Sequence, residues 1–142
     1  MPVQASATDQ PIGDDEFVYR RARPDQIIAL EDGTGYRPSS AIITSKGGPL
    51  SGDLSSGSTP AQTRDRGGGA KCHVVAIPVS ALLEEGCKIL RAPEPDNPSH
   101  VHVWGPGRAD GAIGGKPATR IARKSRVVLF CPNVQLPDGS QH

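Results

Sequence analysis

The sequence predicts an α+β fold: a single small domain with a mixed or mostly antiparallel sheet, two short helices and long loops rich in Gly, Pro and Ser. The chain has 142 residues, which suits one domain. It contains 17 Gly and 14 Pro, and this composition favours many short elements joined by turns. Most apolar residues occur in short β-branched runs, and only two segments show a helical pattern, which is too few helices for a doubly wound sheet.

The predicted domain covers residues 16–132. Residues 1–15 are small and polar with an acidic end, so they predict a flexible N-terminal tail, and residues 133–142 predict a C-terminal tail. Residues 46–70 contain mostly Gly, Ser, Thr, Pro and charged residues, with almost no large apolar side chain. A tract of this length without apolar periodicity predicts a mobile loop inside the domain.

Short apolar runs predict the strands. They are rich in Val, Ile and aromatic residues, and turn residues separate them, which is typical of strands. Residues 25–30 are ambiguous. The predicted strands are residues 17–19, 41–44, 73–79, 88–90, 100–104 and 127–131.

Two segments predict helices. Residues 80–86 end in Gly86, which can adopt the left-handed conformation that stops a helix. Residues 117–125 begin with a proline that suits the first helical turn. They place Ala118, Ile121 and Ala122 on one side of the helix, which we expect to face the core.

Charge and cysteine content limit the functional classes. The net charge is +1, so no global attraction to nucleic acid or to acidic membranes is expected. Cys72, Cys87 and Cys131 are widely spaced without a C-x-x-C motif, which argues against a disulfide scaffold and fits a reducing compartment. The N-terminal residues do not resemble a secretory signal, and no apolar run approaches the ~18 residues of a membrane helix. We therefore expect a cytoplasmic protein with no membrane contact.

The segment S-H-V-H-V-W-G at residues 99–105 raises the question of a histidine site. On a strand, His100 and His102 share one face and the two valines share the other. A catalytic zinc ion needs a third protein ligand, but Cys72 and His73 are adjacent and point to opposite faces. The pattern favours an exposed strand face, and we expect no metal site. A catalytic or phosphate-contacting role of these histidines stays open.

A glycine-rich lead and a basic helix occupy residues 114–126, G-G-K-P-A-T-R-I-A-R-K-S-R. Backbone N–H groups at such a helix start can hold phosphate, although Pro117 after Lys116 breaks the P-loop order. The alternatives are a solvated helix face and contact with an acidic protein partner. With so few cations, nucleic-acid contact would be weak and strongly salt-dependent. The predicted phosphate- or partner-binding residues are Lys116, Arg120, Arg123, Lys124 and Arg126.

Several dispersed segments resemble those of a group of small bacterial proteins. The segments here are Y-R-R at residues 19–21, R-P-S-S-A at 37–41, L-S-G-D at 50–53, H-V-V at 73–75 and P-D-N-P-S-H at 95–100. That group shares R-P-S-S-A, S-V-D and N-P-A-H segments in this order, whereas this chain has S-G-D and N-P-S-H in the last two. The resemblance covers residues 17–126 and implies no activity.

The chain is also similar to the RES-type toxins of the ADP-ribosyltransferase class. An arginine-bearing first strand and a following Arg/Ser segment carry this likeness. It implies that Arg20 or Arg21 holds the phosphates of NAD and that Ser39 or Ser40 lines a nicotinamide pocket. The chain departs from the class because it lacks the tryptophan of the second segment. The class also needs a late carboxylate, for which this sequence offers Glu84, Glu85 and Glu94.

Two functional classes follow from the sequence. The first is a small accessory or binding module that acts through a protein partner, or weakly through nucleic acid, and it is favoured because no G-x-S-x-G or other strong catalytic motif occurs. The alternative is a small NAD- or nucleotide-handling enzyme, and only this alternative implies a cofactor, NAD. The enzyme requires dispersed polar residues to meet in one cleft. Those residues are Arg20, Ser39, Asp53, His73, Asn97 and His100.

Overall fold

The structure is a computed structural model that describes residues 12–45, 47–66, 72–107, 109–131 and 136. Its strands are β1 (Phe17–Ala22), β2 (Ile27–Ala29), β3 (Tyr36–Pro38), β4 (Leu50–Leu54), β5 (His73–Pro78), β6 (Lys88–Arg91), β7 (His100–Trp104) and β8 (Arg126–Leu129). Its helices are α1 (Ser40–Ile43), α2 (Pro60–Arg66), α3 (Val79–Glu84) and α4 (Gly115–Lys124), and a single 3-10 turn (Pro24–Gln26) precedes β2.

Six strands form one sheet in the order β6-β7-β4-β1-β5-β8, and β2 and β3 form a separate hairpin. Each strand pairing within the described residues is antiparallel. The α+β prediction and the antiparallel sheet are therefore confirmed. None of the helices in the described residues combines the length and apolarity needed to cross a membrane.

The main core lies between one face of the sheet and helices α1, α3 and α4. Alternating side chains of β4 and β7 reach this face, because successive residues of a strand point to opposite sides. On β7 the two valines are fully buried while His100 and His102 are partly exposed, as the sequence predicts. The core residues include Val18, Leu50, Leu54, Val75, Ile77, Val101 and Val103 from the sheet, and Ile42, Ile43, Leu82, Ala118, Ile121 and Ala122 from the helices.

Helix α4 follows its predicted pattern. Ala118, Ile121 and Ala122 are buried on the side that faces the sheet and α1. Helix α3 stops where the sequence predicts, because Gly86 adopts φ 83°, a left-handed conformation that favours glycine.

Two element predictions are wrong. Residues 41–44 are predicted as a strand, but Ser40–Ile43 form α1. Burial of both Ile42 and Ile43 against the core outweighs the strand preference of β-branched residues. The tract 46–70 is predicted as a loop, but its described part contains β4 and α2. Strand β4 forms there because its Leu50 and Leu54 ends are buried in the core.

Parts of the domain prediction fall on residues that the structure does not describe. Of the predicted N-terminal tail only residues 12–15 are described, and of the C-terminal tail only Leu136. Lys46 and residues 67–70 of the predicted mobile loop also lie outside the described residues.

Candidate functional site

A polar cleft lies against the sheet on the side of Asp53, away from the main core. Its volume is about 360 Å³, which is within the range of sites that hold small molecules. Strands β1, β4 and β7, helix α2 and the turn before β7 bound it. The lining residues are Tyr19, Arg20, Arg21, Ser51, Gly52, Asp53, Thr63, Arg66, Glu94, Asp96, Asn97 and His100.

The strand register places three polar side chains in one row under the cleft. Asp53 on β4 is opposite His100 on β7 and opposite Tyr19 on β1. Directly opposed residues of antiparallel strands project to the same face. Tyr19, Asp53 and His100 therefore point to the same side of the sheet and form the floor of the cleft.

Asp53 is the centre of a buried hydrogen-bond network. The residue is 3% exposed, and its Oδ1 accepts from Asn97 Nδ2 at 2.7 Å. Its Oδ2 accepts from Thr63 Oγ1 at 2.8 Å and from Arg66 Nη1 at 3.1 Å. Arg66 Nη1 also donates to Ser58 Oγ at 2.8 Å. A buried carboxylate requires such donors, and these bonds attach α2 and Asn97 to the two oxygens of one carboxylate.

A capping box explains why a short polar helix forms beside the cleft. Thr59 Oγ1 accepts from the Gln62 backbone N–H at 3.1 Å, and Gln62 Oε1 accepts from the Thr59 N–H at 2.9 Å. Pro60 occupies the first helical position, where its missing N–H causes no loss. Thr63 and Arg66 are three residues apart, so they share the helix face that points to Asp53.

The turn before β7 holds Asn97 in a fixed orientation. Glu94 and Asn97 exchange two backbone hydrogen bonds of 3.0 Å. Because the Asp53 carboxylate can only accept, the Asn97 amide must present Nδ2 to it, and this determines the position of Oδ1. Asn97 is 7% exposed, and within the described residues its buried Oδ1 has no hydrogen-bond donor.

Arg20 is a partly buried cation where β1 and β4 separate. The pairing of these strands is confined to Val18–Leu54 and Tyr19–Asp53. Beyond it, the Arg20 guanidinium donates to Ile42 O at 3.0 Å and to Ser51 O at 2.7 Å. No carboxylate of the described residues forms an ion pair with it. Burial, with a smaller effect from neighbouring Arg21, lowers the pKa of Arg20.

Donors and acceptors lie on different sides of the cleft. On the β1 and α2 side, Arg21 donates from Nη1 to the Thr63 carbonyl at 3.0 Å, and Arg66 binds Asp53. The turn on the β7 side contributes two exposed carboxylates, those of Glu94 and Asp96. The cleft thus has a guanidinium-rich side and a side rich in acceptor oxygens.

His100 adds a further acceptor to the β7 side. Its Nδ1 lies 3.0 Å from the Ala92 carbonyl, which can only accept, so Nδ1 carries a proton. In a neutral imidazole, Nε2 is then a hydrogen-bond acceptor. The His102 ring lies 5.0 Å from the His100 ring, but His102 does not line the cleft.

The six residues predicted for one cleft divide into two groups. Arg20, Asp53, Asn97 and His100 line the cleft. Ser39 and His73 do not line it.

Ser39 and His73 have other environments. Ser39 is the residue before α1, and its backbone N–H donates to Gln26 O at 2.8 Å. His73 is fully buried, and its Nδ1 accepts from the Cys131 backbone N–H at 2.8 Å. Burial lowers the pKa of His73.

The basic segment is partly neutralised by α3. Arg120 forms a bidentate pair with Glu85 at distances of 2.6 to 3.0 Å, and Lys124 Nζ contacts Glu84 Oε2. The Arg120 hydrogen bonds lower the pKa of Glu85, and Glu85 raises the pKa of Arg120. Neither glutamate lines the cleft, so of the three late carboxylates only Glu94 does.

The remaining cations of this segment are exposed. Arg126 donates from Nη1 to the carbonyls of Arg123 and Ser125 at 2.9 and 2.8 Å. Lys116 and Arg123 have exposed side chains on α4. Within the part of the chain that the structure describes, no group of three or more His, Cys, Asp or Glu residues is placed to hold a metal ion.

Several cleft residues are not among the sequence predictions. Thr63 and Arg66 lie in the tract that its composition predicts to be a loop, although T-P-A-Q at residues 59–62 has the capping-box order. Tyr19 and Ser51 join the site through strand register, for which the sequence gives no direct signal.

Comparison of the chain with protein-family models, with curated proteins and with solved structures gives no match.

Proposed function

We propose that the chain is a small nucleotide-handling protein and that the cleft binds the phosphate group of its ligand. One observation carries this proposal: Arg20 is a partly buried guanidinium that is bonded to two carbonyl oxygens and has no carboxylate partner within the described residues. A charge removed from water is costly unless a counter-charge accompanies it. A ligand anion supplies that counter-charge.

The neighbouring groups support an anion in the same place. Arg66 is already neutralised by Asp53, but Arg21 has only a carbonyl partner within the described residues, that of Thr63. Arg21 therefore remains for the ligand on the Asp53 face of the sheet, and Arg20, whose side chain alternates to the Val18 face of β1, adjoins the cleft where β1 and β4 separate. The planar guanidinium fork fits phosphate oxygens better than a lysine ammonium does. A cleft of about 360 Å³ is large enough for a mononucleotide or a sugar phosphate.

The test is calorimetric titration of the protein with three matched compounds: AMP, adenosine-5′-carboxylic acid and adenosine. We expect AMP to bind most tightly, the carboxylate more weakly and the uncharged nucleoside least. The affinity for AMP should fall as salt is added, because salt screens the partly exposed arginines. Equal affinity for AMP and adenosine would contradict the proposal, as would the absence of AMP binding at millimolar concentration.

Two variants locate the binding. Arg20→Gln keeps one donor group but removes the charge, and we expect AMP affinity to fall at least about tenfold, since a charged hydrogen bond contributes about 1.5–3 kcal/mol. Arg23→Gln, at an exposed arginine outside the cleft, is the matched control and should bind as the wild type does. If a folded Arg20→Gln protein keeps wild-type affinity, the anion does not bind at Arg20. Arg21→Ala then serves as the second variant, and because Arg21 Nη1 also donates to the Thr63 carbonyl of α2 at 3.0 Å, circular dichroism first checks that this variant folds.

A protein partner is the second candidate, and an exposed sheet edge favours it. Strand β6 is an edge of the six-stranded sheet, and its Leu90 is 51% exposed. Leu90, Trp104 and Pro106 line one shallow, largely apolar depression. A photo-crosslinking residue at position 90 should give a discrete protein adduct, whereas the same residue at exposed Leu83 on α3 should not. No adduct specific to position 90 would contradict a partner at this edge.

A further inference from the structure

Among the buried side-chain atoms without a hydrogen-bond partner in the described residues, the oxygen of Asn97 belongs to a residue that lines the cleft. Asn97 is 7% exposed and lines the cleft. Its Nδ2 is committed to Asp53 at 2.7 Å, so the amide cannot rotate by half a turn without placing oxygen against carboxylate. Its Oδ1 is buried without a donor in the described part of the chain. A buried acceptor left unpaired is destabilising, so this oxygen is available to accept a hydrogen bond from a group that enters the cleft.

The groups beside Asn97 limit which kinds of hydrogen-bond donor fit this part of the cleft. On the same side of the cleft, His100 presents Nε2 as an acceptor because its Nδ1 proton is directed to Ala92 O at 3.0 Å. The carboxylates of Glu94 and Asp96 stand on the exposed part of this side. The atoms on this side that are left for a ligand accept hydrogen bonds, and a second phosphate there would be repelled by the carboxylates of Glu94 and Asp96.

The opposite side carries the guanidinium group of Arg21, with Arg20 at the gap where β1 and β4 separate, and the proposed function places the phosphate there. Asp53 stands between the two sides and fixes their relative position, since Oδ1 holds Asn97 and Oδ2 holds Thr63 and Arg66. One ligand that satisfies both sides has an anion at one end and neutral hydrogen-bond donors at the other.

We infer that the ligand is a hydroxyl-bearing phosphate ester, such as a sugar phosphate, and that Asn97 Oδ1 selects it by accepting a hydrogen bond from a ligand hydroxyl group. The inference rests on the proposed function, because the phosphate end is bound by the arginines. The inference adds the chemical class of the group at the other end of the ligand, which is a hydroxyl group. Asn97 is thus a specificity-determining residue, and His100 Nε2 is positioned to accept from a neighbouring hydroxyl.

The test compares two compounds of the same ring size and charge. Ribose 5-phosphate carries ring hydroxyls, and cyclopentylmethyl phosphate carries none. For the wild-type protein we expect ribose 5-phosphate to bind at least about tenfold more tightly, because a site with buried polar groups discriminates strongly against an analogue that leaves them unpaired. This comparison needs no mutation, so it does not depend on whether a variant folds.

Variants then assign the preference to Asn97. Asn97→Ala should reduce the preference for ribose 5-phosphate several-fold and leave the affinity for cyclopentylmethyl phosphate nearly unchanged. Asp65→Asn, at an exposed carboxylate of α2 that does not line the cleft, is the control and should keep the full preference. A folded Asn97→Ala protein that keeps the full preference would overturn the role of Asn97.

The outcomes separate this inference from the function on which it rests. If both phosphates bind with equal affinity, the hydroxyl selection is wrong and the phosphate site stands. If neither binds, and AMP does not bind either, the proposed function fails and the inference fails with it. If 2-aminoethyl phosphate binds more tightly than ribose 5-phosphate, the acceptor side recognises an ammonium group, and the hydroxyl class is overturned.

Discussion

Asn97 Nδ2 donates to Asp53 Oδ1 at 2.7 Å, although the two residues are 44 positions apart in the chain. The bond joins the turn before β7 to the middle of β4, and both groups are almost fully buried. It also fixes the orientation of the amide whose oxygen lacks a donor within the described residues. The stability of the fold and the shape of the cleft therefore depend on the same carboxylate.

Replacing Asp53 with Asn should test this dependence. The substitution keeps the volume but removes the charge that Arg66 and Thr63 bind at 3.1 and 2.8 Å. We expect the free energy of unfolding to fall by about 2–3 kcal/mol, since hydrogen bonds to charged groups contribute more than neutral ones. Urea denaturation measures the change. The control is Asp65→Asn, whose side chain is 68% exposed and which should change stability by less than about 0.5 kcal/mol. Similar losses in both variants would contradict the buried network.

The buried imidazole of His73 should make stability depend on pH. Its Nδ1 accepts from the Cys131 backbone N–H at 2.8 Å, so protonation of Nδ1 would place its N–H against the Cys131 N–H. Burial also lowers the pKa of His73. The unfolded chain therefore binds a proton at higher pH than the folded chain does. The contribution to stability is complete above about pH 6.5, the ordinary histidine pKa, and falls as pH falls below it.

His73→Asn isolates this effect, because an Asn oxygen can replace Nδ1 as acceptor and does not titrate. The ordinary histidine pKa is about 6.5. As the pH is lowered from about 7.5 to about 5.5, across this value, the wild-type free energy of unfolding should fall more steeply than that of the variant. The difference in slope can reach about 1.4 kcal/mol per pH unit for one proton. If the free energy of unfolding of the two proteins falls equally with pH, His73 does not contribute to the pH dependence.

The three cysteines should differ in reactivity. Cys72 is partly exposed, whereas Cys87 and Cys131 are buried. Burial raises the pKa of Cys72, and burial together with Glu85 raises the pKa of Cys87 to about 11. At pH 8 roughly one Cys87 side chain in a thousand is then the reactive thiolate. Mass spectrometry after iodoacetamide treatment should find the native chain labelled first at Cys72 and the urea-unfolded chain labelled at every cysteine. Native labelling of Cys87 as fast as that of Cys72 would be the contrary result.

The sequence predicts the sheet better than it predicts the site. Strand β5 is recognised by its run of β-branched residues and β7 by its alternation of valine with polar residues. Helix α4 is recognised because its small apolar residues recur on one side. In contrast, α2 buries only Thr63, so it has no apolar stripe, and its tract resembles a loop by composition.

The cleft depends on register, which composition does not contain. Asp53 meets His100 and Tyr19 because β4 pairs with both β7 and β1 at that position, and a shift by one residue would turn Asp53 into the core. His73 shows the reverse case: it is a polar residue on a predicted strand, but its position points it into the core, where it bonds Cys131. The residue types indicate which chemical groups are available, but the pairing of the strands determines which of these residues line the same cleft.

Gly52 should be required for the close approach of β1 and β4 beside the cleft. A Cβ atom at this position would lie 2.5 Å from Val18 Cγ1 and 2.7 Å from the Tyr19 carbonyl oxygen. The side chain of Val18 can rotate, but the carbonyl oxygen belongs to the paired backbone, so β1 has to move away from β4. Gly52→Ala should therefore lower the free energy of unfolding by about 1–3 kcal/mol, as overpacking does. It should also weaken AMP binding, because Tyr19 and Arg20 line the cleft.

Gly48→Ala is the control, since nothing lies within 4 Å of a Cβ there, and it should leave stability and binding unchanged. A Gly52→Ala protein as stable as Gly48→Ala in urea would show that the two strands do not approach as closely as these distances require.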